Sequence, residues 1–346
     1  MEPIYVYPGS FCPPTYGHLE IVRKAAEIFP EVVVICSVNP GKEKIWFTPE
    51  KCKEMWKTYN LPGNAKVETF DDFSKEKVNP SQLVMIRGIR NEKDLEYEKR
   101  VVLFNHKNFG ISKFLYIMSG EEFCHISSTA AKKAAEEFDF LTLGCQVSPM
   151  IVSAMLEYVI KIKNLFIVVG KPGSGKSTFL KMLSENNPNA VCIDTDKEVT
   201  DQLKPLLLRA FGERDLADIA MNHGEELKAV IGKAWLELLG KLLKEVLPSK
   251  NVFLEIPYAF QEDKQSFRYF GGKIIYLGCK NEAKNRQRVA IQRGTPQHLP
   301  FIKKIPGKEK TIKIAREYKL SLTCIDTSGS LEDLRKKTTE LNQSIC

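Results

Sequence analysis

The chain has 346 residues, 43% of them apolar, which suits two ordinary domains with separate cores better than one. Its formal charge of +8 comes from 51 basic residues interspersed with 43 acidic ones, without a long basic run or an aromatic-basic ladder. The surplus therefore points to anionic small molecules, nucleotides above all, rather than to nucleic acid. No stretch approaches about 18 uninterrupted apolar residues. The opening Met1-Glu2-Pro3-Ile4 lacks the parts of a secretory signal, and the nine cysteines show neither a Cys-x-x-Cys pair nor zinc-ligand spacing. A cytoplasmic protein with reduced thiols and no membrane contact is expected.

In chain order, Ile4 to Tyr7 reads as a strand, Leu19 to Phe29 as a helix and Val32 to Val38 as an apolar strand. Leu83 to Ile86, a helix from Lys93 to His106 and Phe114 to Met118 follow, which predicts crossover units on a parallel sheet. A helix from Met150 to Lys163 closes this half, and Asn164 is the expected boundary between domains 1–163 and 164–346. Leu165 to Val169 is then a strand running through a loop into a helix, and Ala190 to Ile193 a strand that ends in Asp194-Thr195-Asp196. Apolar residues recur at helical spacing from Leu227 to Leu247 along one broad face, as a core helix requires. Val252 to Ile256, Ile274 to Leu277 and Leu322 to Ile325 complete the predicted strands.

The segment from Tyr7 to His18 joins the first strand to the first helix, where backbone N–H groups and the positive helix end can hold a phosphate. Gly9 and Gly17 permit close backbone approach, and His18 is either a helix cap or a catalytic group. Asn39-Pro40-Gly41-Lys42, Arg87-Gly88-Ile89-Arg90, Asp94 to Glu98 and His125-Ile126-Ser127-Ser128-Thr129 follow. In this order and at these separations the motifs resemble those of bacterial phosphopantetheine adenylyltransferase, within the Thr/His-x-Gly-His nucleotidyltransferase superfamily. The resemblance covers residues 1–163.

It implies a Rossmann-like α/β domain in which the 4′-phosphate of phosphopantetheine attacks the α-phosphorus of ATP without a nucleophilic side chain. Catalysis then rests on position and on cations, for which His18, Lys42 and Arg90 are the candidates. Ser10 and Lys42 would face the acceptor phosphate, His18 the transferring phosphate, and Arg87 the phosphopantetheine. Gly9, Ser10, Phe11, Gly17, His18, Arg90, Glu98 and Ser127, Ser128 and Thr129 would hold ATP, although Ser127 to Thr129 also suit a plain helix cap. Cys12 stands where the family has Asp, and a thiol supplies neither that charge nor its strong hydrogen bonds.

The second half opens on Gly170-Lys171-Pro172-Gly173-Ser174-Gly175-Lys176-Ser177, which fits the P-loop pattern G-x-x-x-x-G-K-S/T after an apolar strand. Gly170, Gly173, Ser174 and Gly175 would wrap the β-phosphate, Lys176 would reach the β- and γ-oxygens as a catalytic cation, Ser177 would bind Mg²⁺, and Thr178 completes the ATP set. Val191 to Asp196, Phe253 to Tyr258 and above all Cys324 to Leu334 resemble three stretches of dephospho-coenzyme A kinase. That resemblance implies a P-loop NTPase kinase domain with a parallel sheet, phosphorylating a ribose 3′-hydroxyl. Asp196 would contact the hydroxyl as catalytic carboxylate, Asp194 would support the substrate, and Arg288 and Arg293 of a lid would contact ATP unless they lie on a solvated helix face. Thr200 in place of an Arg, Glu255 in place of an Asp, and the lack of a His-Pro near Pro248 depart from the family on the acceptor side.

Together the halves imply two successive steps of coenzyme A biosynthesis, with ATP, 4′-phosphopantetheine and dephospho-coenzyme A as substrates, Mg²⁺ as cofactor, and homo-oligomerisation through the first domain. Two alternatives stay open. One is a nicotinamide-mononucleotide adenylyltransferase joined to a ribosylnicotinamide kinase, against which the Arg87 to Arg90 and Asp94 to Glu98 motifs argue. The other is a P-loop domain that senses nucleotide without transferring phosphate.

Overall fold

The computed structural model describes residues 2–38, 44–76, 78–195, 224–256, 267–280 and 307–345, with a few positions between 198 and 212. They divide into two compact units, Met1–Ala134 with Leu141–Ile151, and Ala135–Phe140 with Val152–Cys346. Each is an α/β domain on a five-stranded, all-parallel sheet.

The first sheet comprises β1 (Ile4–Gly9), β2 (Val32–Cys36), β3 (Ala65–Thr69), β4 (Leu83–Ile89) and β5 (Lys113–Met118), in the order β3-β2-β1-β4-β5. Every residue of β2 is buried, as the continuous apolar run Val-Val-Val-Ile-Cys demands of a strand covered on both faces. β3 went unpredicted because Ala-Lys-Val-Glu-Thr offers one strong apolar residue and sits half-buried at the edge of the sheet. The helices are α1 (Tyr16–Ile28), α2 (Pro49–Trp56), α3 (Phe70–Ser74), α4 (Glu92–Phe109), α5 (Ser128–Glu137), α6 (Phe140–Gln146) and α7 (Pro149–Ile160). The chain leaves β1 toward β2 and β3 on one side and returns to β4 and β5 on the other. A crevice therefore opens at the carboxyl ends of β1 and β4, where such sheets bind ligands.

The second sheet comprises β6 (Asn164–Val169), β7 (Ala190–Asp194), β8 (Asn251–Glu255), β9 (Lys273–Gly278) and β10 (Ser321–Asp326), in the order β10-β9-β6-β8-β7. Its helices include α8 (Lys176–Asn186), α9 (Gly224–Lys244), α10 (Lys308–Glu317) and α11 (Leu331–Ile345). Val168, Phe179, Leu183, Phe253, Ile275, Leu277, Ile325 and Leu334 form its core. The predicted helix Leu227 to Leu247 lies at Gly224–Lys244, and its Trp235, Leu238 and Leu242 pack on Leu203. α11 escaped the pattern because its buried face mixes Leu334 with Thr338 and Asn342. Thr338 donates to the Leu334 carbonyl and the Asn342 side-chain oxygen accepts from Asn187. No described helix is long and apolar enough to cross a membrane.

Candidate active sites

The turn after β1 is built around Phe11. A Cβ on Gly9 would meet the Phe11 ring at 2.7 Å, so only glycine lets the chain pass over it. Phe11 holds a left-handed φ of 40° and lies buried against Tyr7, Trp56 and the edge of the His18 ring, with the His18 centroid 5.1 Å away. The residue expected to touch ATP is thus the floor under His18.

His18 takes the capping role that the sequence left open. It is the third residue of α1, and its Nδ1 accepts the Thr15 backbone N–H at 3.0 Å while Thr15 Oγ1 accepts the His18 N–H at 3.4 Å. With Nδ1 committed as an acceptor, the neutral ring carries its proton on Nε2 and offers that N–H as a donor. A capping box orients a candidate catalytic group.

The crevice wall comes from β4 and α4. A Cβ on Gly88 would meet Ile21 at 2.8 Å, so glycine there lets the end of β4 close on α1. Arg87 and Glu98, assigned by resemblance to different ligands, hold each other in a bidentate pair with both contacts at 2.7 Å, and Arg87 also donates to the Pro8 carbonyl. Both are largely buried, so the pair clamps α4 to β4 and leaves Arg87 only its remaining N–H groups for a ligand. Arg90, a third exposed, grips Asp94 through Nε and Nη2 at 2.8 and 3.0 Å. Burial works against the Asp94 charge, but the Arg90 hydrogen bonds outweigh it and hold the carboxyl below its usual range.

α5 faces the same turn. Ser127 Oγ accepts the Ala130 N–H, so Ser127 is a helix cap, and its own N–H is held by buried Gln146. Ser128 donates to the Pro13 carbonyl at 2.8 Å, pinning the start of α5 to the β1–α1 turn. Beside it opens a cleft whose lining includes Ser10, Cys12, Ser37, Lys44, Phe47 and Lys132. The ammonium groups of Lys44 and Lys132 lie 5.4 and 5.6 Å from the Trp46 ring. Neither lysine was singled out from sequence, yet Lys132 stands four residues after Ser128 on one helix face, a spacing that carried the signal. Lys42 lies outside the described residues.

In the second domain the P-loop links β6 to α8. Gly173 and Gly175 hold left-handed φ values of 75° and 86°. A Cβ on Gly170 would stand 2.3 Å from the Leu277 carbonyl oxygen, a backbone atom that cannot yield. Gly170→Ala is therefore expected to open the cradle and lower the melting temperature of this domain, as calorimetry would report. Lys176 Nζ donates to the Gly170 carbonyl at 3.0 Å and pairs with Glu255 at 3.5 Å, both side chains being under a tenth exposed. Asp194 and Glu255 are register partners at the carboxyl ends of β7 and β8, so two carboxylates stand side by side near the P-loop lysine. Ser174 Oγ is buried with no hydrogen-bond partner among the described residues. Ser177 is exposed at the start of α8, with Thr178 beside it. Asp196, Thr200, Arg288 and Arg293 lie outside the described residues. Among the described residues no cluster of three or more His, Cys, Asp or Glu could hold a metal ion.

Residues 6–134 match the family model described as cytidylyltransferase-like. Phosphopantetheine adenylyltransferase of Aquifex aeolicus is 40% identical over 135 residues, covering 38% of this chain and 81% of that protein. The phosphopantetheine adenylyltransferase of Leptospira biflexa is 33% identical over 139 residues, covering 39% and 85%. Among solved structures, TT1252 from Thermus thermophilus covers 53% of this chain and 97% of its own at 24% identity and a TM-score of 0.41. The NadR protein in complex with NR covers 99% and 96% at 15% identity and a TM-score of 0.33.

The first domain is thus a nucleotidyltransferase of the cytidylyltransferase-like class. Through that domain the chain belongs to the phosphopantetheine adenylyltransferase family.

Proposed function

We propose that residues 1–163 transfer the adenylyl group of ATP to 4′-phosphopantetheine, and that residues 164–346 then phosphorylate the 3′-hydroxyl of the resulting dephospho-coenzyme A. The observation that carries the first step is the His18 ring, anchored through Nδ1 so that Nε2–H is a donor, beside a cleft lined by Ser10, Lys44 and Lys132. The acceptor phosphate is held by the cleft lysines and the Ser10 hydroxyl. One of its oxygens attacks the α-phosphorus in line, and pyrophosphate leaves from the opposite side. Negative charge grows on the equatorial oxygens, where the His18 N–H and the Arg90 guanidinium stabilise it. The acceptor is already ionised, so no side chain has to take a proton from it.

The kinase reading is supported by the P-loop cradle and by Lys176. The lysine, stored against Glu255 and the Gly170 carbonyl, is placed to swing onto the β- and γ-phosphates of ATP. The Ser177 hydroxyl and the Glu255 carboxylate are hard oxygen donors of the kind Mg²⁺ takes, together with water and phosphate oxygens. Bound there, Mg²⁺ would screen the phosphate charge, while Asp194 at the end of β7 orients the acceptor ribose. The protein acts in the cytoplasm with small-molecule substrates and neither nucleic acid nor membrane as partner.

Incubation with ATP, Mg²⁺ and equimolar 4′-phosphopantetheine and nicotinamide mononucleotide tests the acceptor. Dephospho-coenzyme A as the adenylylated product agrees with the proposal, whereas a nicotinamide dinucleotide refutes it.

A homo-oligomer through the first domain is part of the same proposal. Among the side chains described on α4 only Glu98 is buried, while Leu103, Phe104 and Phe109 are 70, 60 and 51% exposed, and Met118 on the edge strand β5 is 60% exposed. Exposed apolar side chains on a helix and on a sheet edge support this reading. Leu103→Glu with Phe104→Glu is expected to reduce the sedimentation coefficient to that of a monomer. A wild type that already sediments as a monomer would refute the assembly.

A further inference from the structure

Two thiols meet beneath the acceptor cleft. Cys12 lines that cleft with Ser10 and Lys132 and is 4% exposed, while Cys52, in the first turns of α2, is fully buried behind it. Cys12 Sγ donates to the Phe47 carbonyl at 3.6 Å and accepts the Phe47 N–H at 3.4 Å, and Cys52 Sγ reaches the same carbonyl at 3.9 Å. The two sulfurs thus converge on one carbonyl oxygen. The neighbouring Cys36 is pushed up to about 12 by burial, so it stays a thiol.

The two members of the pair are unlike. The hydrogen bond from Cys52 pulls the Cys12 thiol down to about 6 against the opposing effect of burial, and the Phe47 N–H and the Lys132 charge act in the same direction. Cys52 is pushed well above the usual thiol range, first by that same contact and then by burial. The sulfur at the cleft wall is therefore the readier of the two to lose its proton and the one behind it stays a thiol, the asymmetry of an attacking and a resolving cysteine. A family-type Asp at position 12 would have no such chemistry.

We propose that Cys12 and Cys52 form an oxidisable dithiol, a site for a small peroxide, whose disulfide closes the acceptor cleft and halts the first domain. The functional readout rests on the adenylyl transfer proposed above. The Cys12 thiolate attacks one peroxide oxygen, the O–O bond breaks, and the departing hydroxide takes up a proton, leaving Cys12 as the sulfenic acid. The Cys52 sulfur then attacks the Cys12 sulfur, the S–O bond breaks, and the hydroxide leaves as water with the Cys52 proton. One peroxide is reduced to two waters and two thiols are oxidised to one disulfide. Two equivalents of a small thiol reverse it.

An S–S bond of about 2 Å is far shorter than any non-bonded approach of two sulfurs, so its formation draws the turn bearing Ser10 toward α2. It also releases the grip of Cys12 on Phe47, part of the cleft lining. The sequence placed Cys12 beside the site but gave no sign of Cys52, 40 positions on in the chain.

The test treats the full chain with hydrogen peroxide, blocks the remaining thiols with iodoacetamide and maps peptides by mass while adenylyl transfer is assayed. The expected result is a Cys12–Cys52 linked peptide and a rate lowered about 100-fold, restored by dithiothreitol. Cys52→Ala, or Cys52→Ser if the alanine variant is unstable, is expected to keep the reduced rate but to form no link. Its Cys12 should then advance to the sulfinic acid, with a loss of rate that dithiothreitol does not restore. Oxidation of exposed Cys124 and Cys145 without the link would overturn the proposal, as would a link that leaves the rate unchanged. A reduced wild type that does not adenylylate phosphopantetheine would instead count against the proposed function, since the linked peptide is read by mass alone.

Discussion

Replacing His18 with alanine is expected to lower kcat for adenylyl transfer by about 100- to 1,000-fold, the usual cost of removing one donor aimed at charge that develops in the transition state. The same substitution deletes the Nδ1 acceptor of the Thr15 N–H, so α1 loses half of its capping box and about 1 kcal/mol of stability. The two losses are separable. His18→Gln keeps an acceptor at the position where a capping box ordinarily carries glutamine, so its melting temperature should return to that of the wild type. It has no ring N–H facing outward, and its kcat should stay as low as that of the alanine variant. Activity that recovers along with stability in His18→Gln would make His18 a cap and nothing more.

The second large effect belongs to Lys176. Lys176→Ala is expected to abolish phosphorylation of dephospho-coenzyme A while adenylyl transfer continues, so the intermediate accumulates. The alanine also leaves buried Glu255 without its lysine, which by analogy with other broken buried pairs costs about 3–5 kcal/mol. Lost activity alone could thus reflect a damaged domain. Lys176→Met combined with Glu255→Gln removes both charges and keeps the volume, so thermal stability should largely recover. Phosphoryl transfer should not, because no lysine ammonium then reaches the γ-phosphate. If the P-loop only senses nucleotide, wild type and variants alike stop at dephospho-coenzyme A.

The sheet of each domain was largely legible because parallel strands buried on both faces leave continuous apolar runs. Val32 to Cys36 and Val252 to Glu255 are clear cases. β3 and α11 were not, since an edge strand and a helix whose inner face carries Thr338 and Asn342 lack the apolar period on which such reading depends. At the sites, the glycines and the P-loop could be placed from spacing alone because each answers a local backbone demand. Pairings across the fold could not. Nothing in the order of residues says that Arg87 and Glu98, predicted to serve different ligands, spend their charges on each other, or that Glu255 stands over Lys176. Lys132 and Cys52 are likewise functional candidates only because folding brings them to the wall and floor of the Ser10 cleft.

The most direct test of two ATP-using centres in series is a mass-spectrometric time course on the full chain with 4′-phosphopantetheine, ATP and Mg²⁺. Dephospho-coenzyme A should appear first and then decline as coenzyme A rises. A reaction mixture in which phosphopantetheine is never adenylylated, or in which dephospho-coenzyme A accumulates and supplied dephospho-coenzyme A is left unphosphorylated, would contradict it.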